Sequence, residues 1–94
     1  AMIIFDLNDL KEVNDTLGHI AGDTLIMNFA HIIRTSIPEK YFVGRYGGDE
    51  FIALLNDVSE DEVKSIIKKV QDEANRYNEL SKQIYIEFAY GTFY

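Results

Sequence analysis

Stretches that are apolar at every or every second position alternate along this chain with stretches whose apolar residues recur every three to four, and this alternation leaves few folds open. Met2-Ile3-Ile4-Phe5 is apolar throughout, which suits a strand covered on at least one face and stopped by Asp6. Asn8 or Asp9 can cap a short helix that Gly18 ends. A second helix is predicted from near Asp23, with Leu25, Ile26, Phe29, Ile32, Ile33 and Ile37 at helical spacing, and it has to stop before Pro38. Strand-like runs from Tyr41 to Tyr46 and from Phe51 to Leu55 flank Gly47-Gly48, the pattern of a β-hairpin. Ser59 and Glu62 form a capping box with Val58 and Val63 as its hydrophobic staple. The helix behind them carries Val63, Ile66, Ile67, Val70, Ala74 and Tyr77 at helical spacing, and Ile84, Ile86, Phe88 and Tyr90 then alternate as a last strand.

The order β-α-β-β-α-β is that of the ferredoxin-like split βαβ unit, an α+β fold. Right-handed crossovers give a four-stranded antiparallel sheet with the first and third strands central and adjacent, and helices on one face. At 94 residues the chain makes one small domain with a modest core. It has no cysteine, which excludes disulfides, thiolate metal sites and cysteine nucleophiles and agrees with a reducing compartment. Nine basic against sixteen acidic residues argue against a nucleic-acid face, so an anionic partner needs a metal ion to bridge it. No apolar run approaches the roughly 20 residues that cross a bilayer, and no signal peptide is visible. A cytoplasmic location is expected. The chain begins Ala1-Met2, and the natural protein is expected to extend in both directions.

If strands one and three are antiparallel neighbours, Asp6 at the end of the first lies beside Asp49 and Glu50 at the start of the third. Carboxylates brought that close repel unless one takes up a proton or a cation neutralises them. Mg²⁺ or Mn²⁺ suits hard oxygen donors and leaves coordination positions for phosphate, an arrangement suited to nucleotidyl transfer. Asp6 and Asp49 acting only as strand ends or turn caps explains the same residues. Gly47-Gly48 likewise fits either an ordinary hairpin turn or a turn that lets phosphate approach the backbone without a Cβ in the way.

Arg45-Tyr46-Gly47-Gly48-Asp49-Glu50-Phe51 resembles the signature hairpin of GGDEF domains, the diguanylate cyclases of bacterial signalling. The segment from Phe5 to His19 is similar to the family's D-x-D/N-x-(F/L)-K-x-x-N-D-x-x-G-H pattern, and Gly22-Asp23 matches the G-D of its next helix. The resemblance implies a domain that makes cyclic di-GMP from two GTP and releases pyrophosphate. It implies metal ligation by the carboxylates of Asp6 and Asp49 and the carbonyl of Leu7, with Glu50 beside Asp49 in the catalytic site as a further metal ligand or electrostatic partner. Asp49 is implied as acceptor of the 3′-hydroxyl proton, and Lys11 as a partner of phosphate. Asn14 and Asp23 are implied as guanine readers: a carboxylate can accept from N1–H and the 2-amino group, and a carboxamide can serve N2 and N3. His19 is implied near the substrate. Plainer roles exist for each: an exposed lysine, a turn asparagine, an N-cap aspartate, a helix-end histidine on backbone carbonyls. Arg45 is expected to pair with an acid near the hairpin.

The chain departs from the family pattern in places. Asn8 stands where many members have Asp, and Ala89 where Ser is common in the strand resembled by Ala89-Tyr90-Gly91-Thr92. Pro38 and Tyr41 occupy the ends of the inhibitory R-x-x-D site, so product inhibition there is not expected. The family's N-terminal helix and its C-terminal helix and strand are missing from residues 1–94, which are expected to hold the catalytic core alone. A homodimer is implied for catalysis, with a sensor or receiver domain upstream in the parent protein. Two other readings stand beside the enzyme: a GGDEF module that binds GTP or a partner without chemistry, and an unrelated ferredoxin-like interaction domain.

Overall fold

The computed structural model describes residues 1–81 and 83–94. The chain runs β1 (Met2–Leu7), α1 (Leu10–Leu17), α2 (His19–Ser36), β2 (Phe42–Arg45), β3 (Glu50–Leu54), α3 (Glu60–Leu80) and β4 (Phe88–Phe93). The four strands form one antiparallel sheet in the order β2-β3-β1-β4, so β1 and β3 are the central pair expected from the pattern. All three helices lie on one face. On that side Ile3, Phe5 and Leu7 of β1 and Phe51 and Ala53 of β3 are buried against Leu25, Phe29 and Ile33 of α2 and Val63 and Val70 of α3.

Phe29 is the centre of this core. Its ring meets Phe51 edge-on at 5.5 Å and Phe5 edge-on at 6.5 Å, and lies 5.2 Å from Phe88. One side chain of α2 thus touches β3, β1 and β4 and fixes the helix over the central strands. Among the described residues no helix covers the other sheet face. Met2, Ile4 and Ile52 are half-buried there, and Phe42, Leu54 and Phe93 are exposed.

Several boundaries differ from the sequence expectation, each for a physical reason. β1 runs through Asp6 to Leu7, because Asp6 pairs with both neighbouring strands and Leu7 is buried under the helices. α2 begins at His19 rather than near Asp23. Gly18, at φ 94°, closes α1 by donating its N–H to the Asn14 carbonyl, and its own carbonyl accepts from Gly22 at 3.2 Å. Only glycine adopts such a φ readily, so one residue serves both helices. Asp23 therefore lies within α2 and is not its N-cap.

The last strand also shifts, from the expected 84–90 to Phe88–Phe93. Residues 84–87 keep an alternation of exposure, with Ile86 only 2% exposed, but their backbone is held by side chains of α3 and the turn after it. Asn78 donates from Nδ2 to the Ile86 carbonyl at 2.8 Å and accepts from the Ile86 N–H at 2.7 Å. The Ser81 hydroxyl donates to the Ile84 carbonyl.

The α3 cap is as expected on one side: Ser59 Oγ accepts from the Glu62 N–H at 3.1 Å. The Glu62 carboxylate does not return to the Ser59 backbone and instead accepts from the Tyr41 hydroxyl at 3.3 Å.

Candidate functional site

The ends of the two central strands meet at one rim of the sheet. Asp6 is the register partner of Glu50, and both are half-buried on the side away from the helices. The Leu7 N–H donates to the Asp49 carbonyl at 2.8 Å, which docks the hairpin turn on the end of β1. The pairs Asp6-Leu7 and Asp49-Glu50, far apart in sequence, are thus brought side by side across the sheet.

Their side chains do not form a closed cage. Among the described residues no group of three or more acid or imidazole side chains is gathered closely enough to hold a metal. The expected three-carboxylate cluster is therefore present as a backbone juxtaposition only. Such a donor set still fits Mg²⁺ or Mn²⁺. Mg²⁺ in particular commonly takes one or two carboxylates and completes its shell with water and substrate phosphate.

α1 starts directly after the rim. Asp9 occupies its N-cap position in the left-handed region, at φ 66°, and makes no side-chain capping bond; Asn8 does not cap it either. Among the described residues the first α1 amides thus have no side-chain acceptor, and a helix N-terminus of this kind attracts anions. Lys11 stands in that first turn, exposed.

Asn14, half-buried on α1, lies against Gly22 of α2, one residue before the exposed Asp23. His19, the first residue of α2, is exposed and bonds no backbone carbonyl. Among the described residues the side chains of Asp6, Lys11, Asn14, His19, Asp23, Asp49 and Glu50 have no hydrogen-bond or ion-pair partner in the protein.

Two features were not foreseen from the sequence. Among the described residues Arg45 pairs with no acid. Its guanidinium donates to the Gly47 carbonyl at 3.1 Å and to the Gly48 carbonyl at 2.8 Å, spanning the turn that leads into Asp49. The two turn glycines also differ. Gly47 has φ 81°, which explains glycine there, whereas Gly48 has neither such a φ nor any atom within 4 Å of where a Cβ would stand. Among the described residues nothing requires glycine at position 48.

Together these features define a palm-type βααββαβ domain with acids at the ends of its central strands and donors on the helix that follows. The chain belongs to the GGDEF domain family: the family description "Diguanylate cyclase, GGDEF domain" matches residues 1–94. Diguanylate cyclase TpbB of Pseudomonas aeruginosa is 49% identical over 55 residues, covering 58% of this chain and 13% of TpbB. The solved GGDEF domain of TpbB superposes with a TM-score of 0.84 at 33% identity, covering 96% of this chain and 54% of that one. The GGDEF domain of DgcB from Caulobacter crescentus, solved in complex with c-di-GMP, superposes with a TM-score of 0.85 at 25% identity, covering 96% and 56%. This chain therefore spans about half the length of these solved relatives.

Proposed function

We propose that this chain is the core of a diguanylate cyclase, joining two GTP molecules into cyclic di-GMP with release of pyrophosphate. The observation that carries the reading is the Leu7–Asp49 backbone bond, which brings the hairpin acids to the end of β1 beside the uncapped start of α1.

The carboxylates of Asp6 and Asp49 and the Leu7 carbonyl would hold Mg²⁺ or Mn²⁺, with Glu50 as a further ligand or electrostatic partner. When bound, the ion supplies charge neutralisation for phosphate and lowers the pKa of a coordinated hydroxyl. The α1 amides and Lys11 take the phosphates, and Lys11 offsets negative charge that builds up as the reaction proceeds. Gly48, bare and facing open space, lets the triphosphate approach the turn.

Asp23 and Asn14 select guanine at the α1–α2 junction, near His19. Adenine lacks the N1–H and 2-amino donors and leaves Asp23 unpaired. Asp49 accepts the proton of the 3′-hydroxyl. The 3′-oxygen then bonds to the α-phosphorus of the facing GTP, the bond from that phosphorus to the bridging oxygen of the β-phosphate breaks, and pyrophosphate leaves with its electron pair. The second ester forms the same way.

Each domain holds one GTP, so the active unit is a homodimer with antiparallel substrates. Placing them correctly supplies on the order of 7–11 kcal/mol of the barrier. In the parent protein an upstream sensor or receiver domain governs that encounter in the cytoplasm. Among the described residues no helix is long and apolar enough to cross a membrane. Feedback through positions 38 and 41 is not expected: Tyr41 is a buried core residue bonded to Glu62, and Pro38 brings no charge.

The test is incubation of the parent protein with GTP and Mg²⁺, with chromatography for cyclic di-GMP and pyrophosphate. Product that disappears in Asp49→Ala supports the reading. GTP binding without product, even in an enforced dimer, identifies a regulatory GTP-binding module instead.

A further inference from the structure

Gly22 lies within the first turns of α2, buried, with an ordinary helical backbone. Its conformation gives no reason for glycine, and a helix-interior glycine is less stable than alanine. The reason has to be space. A Cβ added at Gly22 would lie 1.7 Å from Asn14 Oδ1, 2.7 Å from Asn14 Cγ and 3.3 Å from Asn14 Nδ2. The carboxamide of Asn14 fills the volume that any other residue at position 22 would occupy.

We infer that Gly22 is a positioning residue for nucleobase selection: its bare Cα forms the notch that seats the Asn14 carboxamide beside Asp23. The inference rests on the reading of Asn14 and Asp23 as guanine readers. The atoms in conflict are the far end of a side chain and not backbone, so a methyl group at position 22 is relieved when Asn14 turns to another staggered rotamer. The helix survives and gains propensity, while the carboxamide leaves its seat. Because the Asn14 side chain has no protein partner among the described residues, that rotation breaks no internal hydrogen bond. The cost falls on recognition and spares the fold.

The experiment titrates the chain calorimetrically with the α,β-methylene analogue of GTP, which cannot release pyrophosphate, and with the matching inosine analogue, which lacks the 2-amino group. Wild type, Gly22→Ala, Asn14→Ala and the double variant are compared, with urea midpoints measured in parallel. Gly22→Ala is expected to unfold at or above the wild-type midpoint and to bind the guanine analogue about tenfold more weakly. Its preference for guanine over inosine is expected to fall toward that of Asn14→Ala. The double variant is expected to bind no worse than Asn14→Ala alone, since both changes remove one contact.

Wild-type affinity and preference in Gly22→Ala overturn the inference, as do losses that add in the double variant. If Gly22→Ala is destabilised, Asn14→Ala has to restore the midpoint by removing the obstructing atoms, and failure to restore it also overturns the inference. A wild-type chain that binds neither analogue overturns the nucleotide reading itself, which is a different result.

Discussion

Replacing Asn78 tests how the segment leading into β4 is held. Its carboxamide makes two bonds to the Ile86 backbone, at 2.8 and 2.7 Å, and Ile86 is only 2% exposed. Each bond contributes about 1 kcal/mol net, and unpaired backbone groups at a buried residue add a desolvation cost. Asn78→Ala is expected to destabilise by about 2–3 kcal/mol, against roughly 5–14 kcal/mol for a domain of this size. That corresponds to roughly 10–20 °C in Tm. Urea unfolding followed by circular dichroism measures it, with the midpoint falling and the slope unchanged.

Asn78→Asp is the sharper variant. At neutral pH it still accepts from the Ile86 N–H, but it places a carboxylate oxygen against the Ile86 carbonyl. Its loss should match or exceed that of alanine. As pH falls the carboxyl protonates and donates to that carbonyl, so the gap to wild type at the same pH should narrow. If both variants unfold within about 0.5 kcal/mol of wild type, the range of ordinary surface changes, then Asn78 does not hold this segment.

Phe29→Ala should cost about 3–5 kcal/mol in the same assay, because the ring is fully buried and touches three other phenylalanines. Gly47→Ala should lose about 1–2 kcal/mol through its left-handed φ, whereas Gly48→Ala should leave the unfolding midpoint unchanged and weaken binding of the methylene GTP analogue. Ser59→Ala should lose about 1 kcal/mol of stability, with the first turn of α3 fraying in amide hydrogen exchange.

The parts of the fold legible in the sequence are those decided by local chemistry. Ser59 caps α3 because its hydroxyl reaches an amide three residues on, and Gly47 turns the hairpin because of its φ. Strand order follows from connection rules, and with it the meeting of Asp6 with the hairpin acids. Contacts between side chains and distant backbone were not legible. Period two at positions 84–90 is real, yet ladder pairing stops where β1 stops, and Asn78 satisfies the backbone beyond it. In the site, Arg45 clamping glycine carbonyls and Asn14 resting on Gly22 leave no periodic trace, since each depends on two elements approaching in space.

The sheet face turned away from the helices carries Ile4 and Ile52 partly in water and leaves Phe42, Leu54 and Phe93 exposed. That apolar area is already hydrated before the chain unfolds, so melting exposes less new apolar surface than in a domain of equal length clad on both sides. The heat-capacity increment therefore falls below the usual roughly 12–15 cal/mol/K per residue, and the stability curve is broad and shallow. Warming or cooling by a few tens of degrees then changes the free energy of this domain less than its size alone would suggest.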